Sequence, residues 1–517
     1  MKNYIKYFIL ILVSTLVFGC SEEFLNRQPL DQEVSSNFYQ TEEDAKEALV
    51  AVYDVLGYQS SPGVSWAPFV TVSDILSDDS FAGGADANDG LDENELNTFN
   101  IPTTSQIVHS LWIKNYIGIY RANLYLEVID GITASDEFKI RTIAECKFLR
   151  AYFYFELVRF FENIPLLTAT IKGPSEYSQE QNTPKEVYDQ IALDLVEAME
   201  VLPSEIPNIE RGRVSKWAAK SLLARVFLFY NGVYNADLEA GSVTVDKAKA
   251  LEYLEEVINE SSHGLLPDYS QIFKLAGEHS EESVFEISHG DSPAWWDWGY
   301  VRGGEGNLAA QMQGPRVTDS DNWDRGWSFA PVTQSLVDAM SGDPRLENTV
   351  LMEEELDGTL TIGYQHTGYY SKKYSSDAEH WSVDGQFELN RTCNVRVIRF
   401  SDVLLMAAEL GSPNAQDYLD MVRERVELPS VPATPENIFK ERRLELALEG
   451  IRYFDVIRRG MNVATDELTM IGERGPNYIG DQVIFDVTFD PATKGFLPIP
   501  QAEVDLSAGV FKQNDGY

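Results

Sequence analysis

The chain has 517 residues, of which 44% are hydrophobic and 12% aromatic, a composition typical of an ordered globular protein with an extensive core. Its 82 acidic residues outnumber its 41 basic ones, and the formal net charge of −41 repels polyanions. Composition therefore excludes a disordered chain and argues against nucleic acid as a partner.

The first twenty residues have the pattern of an export signal. Two lysines precede an apolar run, residues 7–19, which is short for a membrane span. The sequence "LVFGC" that ends at Cys20 resembles a bacterial lipobox, with Val17 where leucine is usual. We expect residues 1–19 to be a lipoprotein signal peptide and Cys20 to carry the lipid that anchors the chain to a membrane. A secreted protein with an incidental cysteine is the alternative.

The first half of the chain has the periodicity of successive amphipathic helices. The predicted helices span residues 41–57, 105–131, 137–161, 183–203, 213–231 and 245–261. Thr41 and Asp44 form a capping-box arrangement at the first of them. From Phe148 to Phe161 the third is apolar almost all round, so other helices should cover it. Paired helices with small residues at their contacts predict an irregular tetratricopeptide-like array.

The middle of the chain differs in composition and in its hydrophobic pattern. Between about residues 264 and 394, Gly, Pro, Asn, Asp and aromatic residues dominate, with short strand-like runs such as residues 283–288. The helical pattern returns at residues 400–410 and 434–460. Long irregular segments inside a compact protein are usually functional, so we expect the binding region in the middle.

Together these patterns predict a mainly α fold. The helical scaffold is expected over about residues 36–263 and 395–460, and the loop-rich elaboration over about 264–394. Because both ends are helical and only the middle is elaborated, we expect residues 20–517 to form one composite domain.

The sequence has no HExxH, GxSxG or Walker A motif. Residues 304–309, "GEGNLA", fit GxGxxA, but no apolar strand precedes them, so no dinucleotide site is predicted. The histidines are dispersed, and we expect His366 and His380 to lie at the surface without a metal. Cys146 and Cys393 are expected to be buried free thiols rather than a disulfide.

One acidic loop, residues 78–95, is the best candidate for a cation site. Asp86, Asn88, Asp89 and Asp92 offer oxygen ligands of the kind that calcium prefers. The loop lacks the full EF-hand spacing, so a solvated acidic loop is the alternative. Beyond this candidate structural calcium, no cofactor is predicted.

The stretch "AWWDWGY", residues 294–300, concentrates aromatic rings in an acidic chain. If it is extended, Trp296, Trp298 and Tyr300 share one face and lie about 7 Å apart along the strand. Hexopyranose units repeat on a comparable scale, and their C–H faces are apolar. The spacing therefore predicts a surface on which a glycan stacks.

Polar neighbours fit the same hypothesis. Arg302 and Asn307 lie close enough in sequence to offer hydrogen bonds, Asp297 would point to the other face, and Trp295 completes the cluster. The alternative is a core beneath the loop, because large aromatic side chains are mostly buried. Against it, no aliphatic residue appears before Val301.

The other tryptophans divide by context. Trp66 is the second candidate for the glycan site, since its loop falls between the first two helices. Trp323 and Trp327 are the third candidates for the glycan site. Trp112 and Trp217 lie in predicted helices and are expected to be core.

Several segments, in order, resemble the SusD/RagB family of Bacteroidetes outer-membrane glycan-binding lipoproteins. They are residues 24–32, 111–127, 144–167, 394–410, 441–460 and 496–517. The resemblance implies a SusD-like fold with four tetratricopeptide-like helix pairs that support an irregular glycan-binding region. It also implies a partner, a SusC-like TonB-dependent transporter, and a surface location that the acidic residues after Cys20 favour. Residues 408–426 depart from the family pattern, which usually has a longer loop there; this concerns the scaffold only.

We therefore expect a lipid-anchored cell-surface protein of the outer membrane that captures oligo- or polysaccharide and delivers it to the transporter without chemistry. The negative charge favours a neutral glucan, with β-1,3-glucan of the laminarin type first and α-glucan, xylan or mannan next. One alternative is a glycoside hydrolase with two loop carboxylates about 5–10 Å apart. The other is a helical-repeat adaptor that binds peptide or protein cargo.

Overall fold

The computed structural model describes residues 39–59, 66–292, 294–296, 305–474 and 483–517. The predicted signal peptide, residues 1–19, and Cys20 lie outside these ranges. Within them, no helix is at once long enough and apolar enough to cross a membrane.

The N-terminal half is an array of helices that pack on one another. They are α1 (Glu42–Tyr53), α2 (Phe69–Ile75), α3 (Leu91–Asn97), α4 (Gln106–Val128), α5 (Asp136–Phe161), α6 (Pro184–Met199), α7 (Lys216–Tyr234) and α8 (Lys247–Glu260). From α4 to α8, each helix contacts the next. The six helices predicted from periodicity are confirmed with ends displaced by a few residues. Two of them close with a 3-10 turn, Asp54–Gly57 and Ile129–Gly131.

Local sequence sets where these helices begin. The Thr41 hydroxyl accepts from the backbone N–H of Asp44, and the Asp44 carboxylate accepts from the Thr41 N–H, which confirms the predicted capping box. Thr183 and Glu186 form a second box at α6, with Pro184 at the first helical position. Each box satisfies backbone donors that the helix itself leaves unpaired.

Helix α5 lies at the centre of the array. Every residue from Phe148 to Phe161 is buried, as the all-round apolar pattern predicts. Gly118 allows α4 to approach α5 closely, because a Cβ atom there would lie 2.5 Å from the Phe153 ring. Trp112 and Trp217 are buried, which confirms that they are core residues.

The middle of the chain is rich in loops. Its helices are short: α9 (Leu308–Gln313), α10 (Gln334–Ala339) and α11 (Leu346–Thr349).

The strands of the described residues are β1 (Leu238–Ala240), β2 (Val243–Val245), β3 (Ser283–Ile287), β4 (Val317–Thr318), β5 (Val350–Met352), β6 (Thr359–Leu360), β7 (Tyr369–Ser371), β8 (Val395–Arg399), β9 (Met470–Arg474) and β10 (Val483–Val487). They pair in twos, antiparallel: β1–β2, β3–β8, β4–β6, β5–β7 and β9–β10. The β3–β8 pair fastens the start of the middle segment to the return of the helices.

The C-terminal helices are α12 (Phe400–Glu409), α13 (Ala415–Glu424), α14 (Pro435–Glu445), α15 (Arg452–Ile457), α16 (Met461–Leu468) and α17 (Gln501–Leu506). Helix α12 packs on α8 and so joins the two helical parts. The helical pattern predicted over residues 434–460 is confirmed, but it is divided into two helices, because α14 ends at Glu445 and α15 starts at Arg452. Gly450, with φ of 71°, lies in the break and donates its N–H to the buried Asp74 carboxylate at 3.0 Å. This contact with α2 replaces the continued helix.

A buried ion-pair network connects α14 to β8 and to the loops around it. Glu445 Oε1 contacts Arg399 Nη1 at 2.8 Å and Arg425 Nη2 at 2.5 Å, and its Oε2 contacts Arg345 Nη1 at 3.0 Å. Burial alone would raise the pKa of Glu445, but the guanidiniums of Arg425, Arg399 and Arg345 outweigh it and hold that pKa well below its usual range. Glu449 extends the network with a second contact to Arg399 at 2.8 Å.

The structure confirms the prediction made for the cysteines and corrects the one made for the histidines. Cys146 and Cys393 are buried free thiols, as predicted, and burial raises the pKa of Cys393 to about 12. The prediction that His366 and His380 lie at the surface is wrong. His380 is buried and its Nε2 is 3.2 Å from the Phe273 carbonyl oxygen, while the His366 side chain is nearly buried. A loop pattern in the sequence does not show whether other parts of the chain cover that loop.

Candidate functional site

Trp296 projects into solvent directly after a residue whose backbone is hydrogen-bonded to the rest of the protein. Its side chain is 70% exposed. The preceding residue, Trp295, donates its N–H to Asn390 Oδ1 at 2.9 Å, and its carbonyl accepts from the Gln386 N–H at 2.6 Å and from Asn390 Nδ2 at 2.9 Å. Trp295 itself is half-buried. Four predicted site residues lie outside the described part of the chain: Asp297, Trp298, Tyr300 and Arg302.

Trp66 and Trp327 lie side by side although they are far apart in the sequence. Their ring centroids are 6.5 Å apart and the ring planes are inclined by 50°. Both rings are half-buried and rest on the apolar residues Leu308 and Met312 of α9 and on Phe329. The second candidate from the sequence and one of the third candidates therefore form a single aromatic pair.

Gln311, a fully buried residue of α9, holds the loops around this pair. Its carbonyl oxygen accepts from the Trp327 N–H at 3.0 Å, and its side-chain amide donates to the Arg325 carbonyl at 2.7 Å. Its Oε1 accepts from Arg391 Nε at 3.0 Å and Nη2 at 2.8 Å. Burial lowers the pKa of Arg391 to about 10, so the guanidinium remains charged at neutral pH.

Arg325 connects the aromatic pair to the Trp296 segment. Its guanidinium lies 3.8 Å from the centroid of the Phe387 ring, and its Nε contacts Asp324 Oδ1 at 2.7 Å. Phe387 directly follows Gln386, which binds the Trp295 carbonyl. The Arg325 side chain is 53% exposed and its backbone is left-handed, with φ of 33°, a strained conformation of the kind that clusters at ligand sites.

We call Trp66, Trp296, Trp327, Phe387 and Arg325 the tryptophan surface. Indole rings supply apolar faces, and an exposed guanidinium supplies several hydrogen-bond donors in fixed directions. Because Gln311, Gln386 and Asn390 bind backbone atoms near this surface, binding would require little ordering of the backbone there. The arrangement suits a ligand with both apolar faces and hydroxyl edges.

Two residues considered from the sequence have structural roles instead. Asn307 is buried at the start of α9, where its Oδ1 accepts from the Ala309 N–H at 2.9 Å and its Nδ2 donates to the Cys393 carbonyl at 2.8 Å. Both ends of its amide are used, so Asn307 is not available to a ligand. Trp323 is buried in an apolar cluster with Val317 and Tyr370 and is a core residue.

The acidic loop uses most of its carboxylates internally. Asp86 accepts from the Asn88 N–H at 2.8 Å, Asp89 pairs with Arg316 at 3.0 Å, and Asp92 accepts from the backbone N–H at the start of α4 at 3.2 Å. Among the residues that the structure describes, no three His, Cys, Asp or Glu side chains gather as metal ligands would. The carboxylates of Asp86, Asp89 and Asp92 therefore have partners within the protein. Within the described residues, they do not surround a common point at which calcium could bind.

The start of the same loop is not solvated. Asp78 contacts Arg452 Nε at 2.7 Å, and Asp79 contacts Arg443 at 2.8 Å, with both carboxylates buried. Within the loop, residues 85–88 and Leu91 are exposed. The loop is therefore partly a structural element that joins the middle segment to α14 and α15.

Four residues of the site and its support are not predicted from the sequence: Gln311, Arg325, Phe387 and Arg391. The stretch "NWDRGW", residues 322–327, carries a usable signal for Arg325, since it places a cation between two tryptophans. Phe387 and Arg391 stand in loops without any local pattern. Their role depends on contacts with residues far away in the chain.

Comparisons with known proteins agree on one family. A sequence model described as "SusD family" matches residues 346–517, and one described as "Starch-binding associating with outer membrane" matches residues 23–228. By sequence, the chain is 27% identical to a SusD-like protein of Formosa agariphila, over 87% of this chain and 90% of that protein.

The structure is similar to solved structures over nearly its whole length. One is a laminarin-binding SusD-like protein, 33% identical, with a TM-score of 0.81 over 93% of this chain and all of the other. Another is surface glycan-binding protein A from Bacteroides thetaiotaomicron in complex with laminarihexaose, 30% identical, with a TM-score of 0.79 over 92% of this chain and all of the other. Both are described as binding proteins, and the mainly α, SusD-like fold predicted from the sequence is confirmed. The chain belongs to the SusD family.

Proposed function

We propose that this protein captures a neutral glucan at the cell surface on the tryptophan surface and passes it to a SusC-like TonB-dependent transporter. The observation that carries the proposal is Trp296, which is 70% exposed on a backbone held by Asn390 and Gln386. Single exposed aromatic side chains are common, but here the aromatic pair of Trp66 and Trp327 lies on the adjoining loops, and clustered apolar surface marks binding sites.

The expected binding free energy suits reversible capture of a polymer. Stacking a sugar on one exposed indole removes about 100 Å² of apolar area from water, worth roughly 2.5 kcal/mol before the cost of association. Two such contacts with a few hydrogen bonds, less that cost, correspond to dissociation constants of about micromolar to millimolar. Because a polysaccharide offers many equivalent segments, affinity in this range is sufficient for capture.

A β-1,3-glucan of the laminarin type is the proposed ligand. Two solved relatives at 33% and 30% identity are described as binding laminarin and laminarihexaose. The net charge of −41 disfavours sulfated or carboxylated glycans. Starch, xylan and mannan are the comparison ligands.

The test is isothermal titration of residues 21–517 with laminarihexaose, beside native electrophoresis through gels that contain laminarin, starch, xylan or mannan. We expect laminarin to retard the protein and the Trp296→Ala variant to bind laminarihexaose at least tenfold more weakly. Tyr177→Ala is the matched control, since Tyr177 is 68% exposed and does not belong to the tryptophan surface.

The outcomes separate the alternatives. Retardation by a different neutral glycan, lost in Trp296→Ala, keeps the site and changes the ligand. Binding that Trp296→Ala leaves intact overturns the site. An absence of binding to every glycan overturns glycan capture and favours peptide cargo, while release of reducing sugar would establish a hydrolase.

Anchoring and transporter contact are tested separately. We propose that Cys20 carries the lipid, so Cys20→Ala should release the protein from the outer membrane and abolish its labelling on intact cells. Affinity purification of the anchored protein should recover a TonB-dependent transporter. Unchanged membrane attachment in Cys20→Ala would refute the lipid anchor.

A further inference from the structure

The side chain of Gln59 is buried where three parts of the binding region meet. Gln59 comes before Trp66 in the chain, and it binds the backbone on the far side of that tryptophan. Its amide also binds the residues at the start of helix α9, which lie 247 and 250 positions away in the sequence. Gln59 therefore contacts both the chain around Trp66 and the helix beneath it.

The first contact fixes the backbone directly after Trp66. The Gln59 carbonyl oxygen accepts from the Ala67 N–H at 2.8 Å. Ala67 follows Trp66, so this hydrogen bond holds the peptide group that joins the two residues. The backbone position of Trp66 therefore depends on where Gln59 is held.

The side-chain amide of Gln59 binds helix α9 and the residue before it. Its Oε1 accepts from the Ala309 N–H at 3.0 Å, and its Nε2 donates to the Gly306 carbonyl oxygen at 3.2 Å. Helix α9 contributes to the apolar cluster on which the aromatic pair rests. Gln59 thus fixes the Trp66 backbone relative to the floor beneath its ring.

The second N–H of the same amide faces His289. The two Nε2 atoms are 3.5 Å apart, and His289 Nδ1 lies 3.1 Å from the Glu305 carbonyl oxygen. Because that oxygen can only accept, Nδ1 carries the ring hydrogen and Nε2 is an acceptor. Burial lowers the pKa of His289 to about 4, so the ring is neutral at pH 7. Both ends of the Gln59 amide have partners, which sets its orientation.

Gly306 continues the connection to the Trp296 segment. A Cβ atom at residue 306 would lie 2.7 Å from Asn390 Cα, so the two backbones approach this closely because residue 306 is glycine. Asn390 in turn binds the Trp295 N–H and carbonyl through the two ends of its amide. Contacts therefore run from Gln59 through Gly306 and Asn390 to the backbone that carries Trp296.

From these contacts we propose that Gln59 is a positioning residue of the glycan site, which holds the aromatic pair and Trp296 in a fixed mutual position before sugar arrives. Its effect on sugar affinity rests on the proposed function, since Gln59 is buried and acts through the rings. Two platforms fixed in advance lose less freedom on binding than two that move independently. Removing the Gln59 amide should therefore weaken binding although every ring remains in the protein.

The first test is fluorine NMR of protein labelled with fluorotryptophan, recorded without sugar. Gln59→Met keeps the length of the side chain but removes the amide and its hydrogen bonds. We expect the resonances of Trp66 and Trp296, assigned from single Trp→Phe variants, to shift or broaden by more than a linewidth. Those of the core residues Trp112 and Trp217 should not move. Unchanged Trp66 and Trp296 resonances would overturn the proposal.

Gln513→Met is the matched control. The Gln513 amide accepts from the Ile499 N–H at 2.6 Å and donates to the Ile499 carbonyl oxygen at 2.8 Å, so it also binds one backbone donor and one backbone acceptor. Within the described residues, none of its hydrogen bonds involves the tryptophan surface. Both variants should lower Tm by about 1–3 °C, but only Gln59→Met should change the Trp66 and Trp296 resonances. Equal spectral changes in both variants would overturn the proposal, because they would reflect a general loss of stability.

Titration with laminarihexaose measures the consequence for binding. Gln59→Met should bind about fivefold more weakly than wild type, which corresponds to about 1 kcal/mol of lost preorganisation. In a Trp66→Ala background the same substitution should change affinity less than about twofold, since the platform that Gln59 positions is then absent. An equal loss in both backgrounds would refute positioning through Trp66.

The two measurements keep this proposal separate from the proposed function. If wild type binds no glycan, glycan capture fails, whereas the fluorine spectra still decide whether Gln59 positions Trp66 and Trp296. If wild type binds laminarihexaose and Gln59→Met binds it equally well with unchanged spectra, glycan capture stands and the role of Gln59 is refuted.

Discussion

Glu445→Gln should destabilise the protein by about 3–5 kcal/mol, the range for breaking a buried ion pair by removing one partner. Glutamine has the shape of glutamate but no charge, and its NH₂ group would face a guanidinium. Three buried arginines, Arg345, Arg399 and Arg425, would lose the carboxylate that they share. With an unfolding entropy of ~2.1 cal/mol/K per residue, the 517-residue chain has roughly 1 kcal/mol/K, so Tm should fall by about 3–5 °C at pH 7.5.

The effect should depend on pH in a defined direction. Because the pKa of Glu445 is held well below its ordinary value of 4.5 in the folded state, its contribution is fully present above pH 4.5. It is lost as the pH falls from there toward the folded pKa. The Tm difference between wild type and Glu445→Gln should therefore be constant from pH 6 to 8 and shrink below pH 4.5.

Calorimetry of wild type, Glu445→Gln and Glu43→Gln from pH 3.5 to 8 is the assay. Glu43 makes the same kind of contact, 3.4 Å from Lys46, but its side chain is exposed, so Glu43→Gln should change Tm by less than 1 °C. A Tm loss below 1 °C for Glu445→Gln, or a loss that stays constant down to pH 3.5, would refute the reasoning.

Three further predictions concern the scaffold. Gly118→Ala should lower Tm by about 1–3 °C, because its Cβ would clash with the Phe153 ring, while Gly131→Ala, which meets nothing within 4 Å, should not; equal Tm values would argue against close packing of α4 on α5. Thr183→Ala should cost about 1 kcal/mol in the free energy of unfolding and Thr183→Ser should not, as measured by calorimetry, since only alanine removes the capping oxygen. Both buried thiols should resist a thiol reagent in the native protein and react after denaturation, because burial raises their pKa; rapid native reaction at Cys393 would contradict its placement.

Much of the scaffold is readable from the sequence because its signals are local. Helix periodicity, the Thr41 capping box and the all-round apolar run from Phe148 to Phe161 depend on neighbours within a few turns. The break at Gly450 escaped prediction because its cause is a contact with Asp74, more than three hundred residues earlier. A pattern confined to one segment contains no signal from such a partner.

The same distinction between local and long-range signals applies to the candidate site. The sequence by itself determined a helical array, buried thiols and a tryptophan-rich middle region, since composition and periodicity report which side chains avoid water. Only the tertiary structure decided that Trp66 pairs with Trp327, that Trp323 is core and that Gln311 holds the loops around Arg325. Exposure of a ring depends on what the rest of the chain places over it, and that is settled by contacts between residues that are distant in sequence.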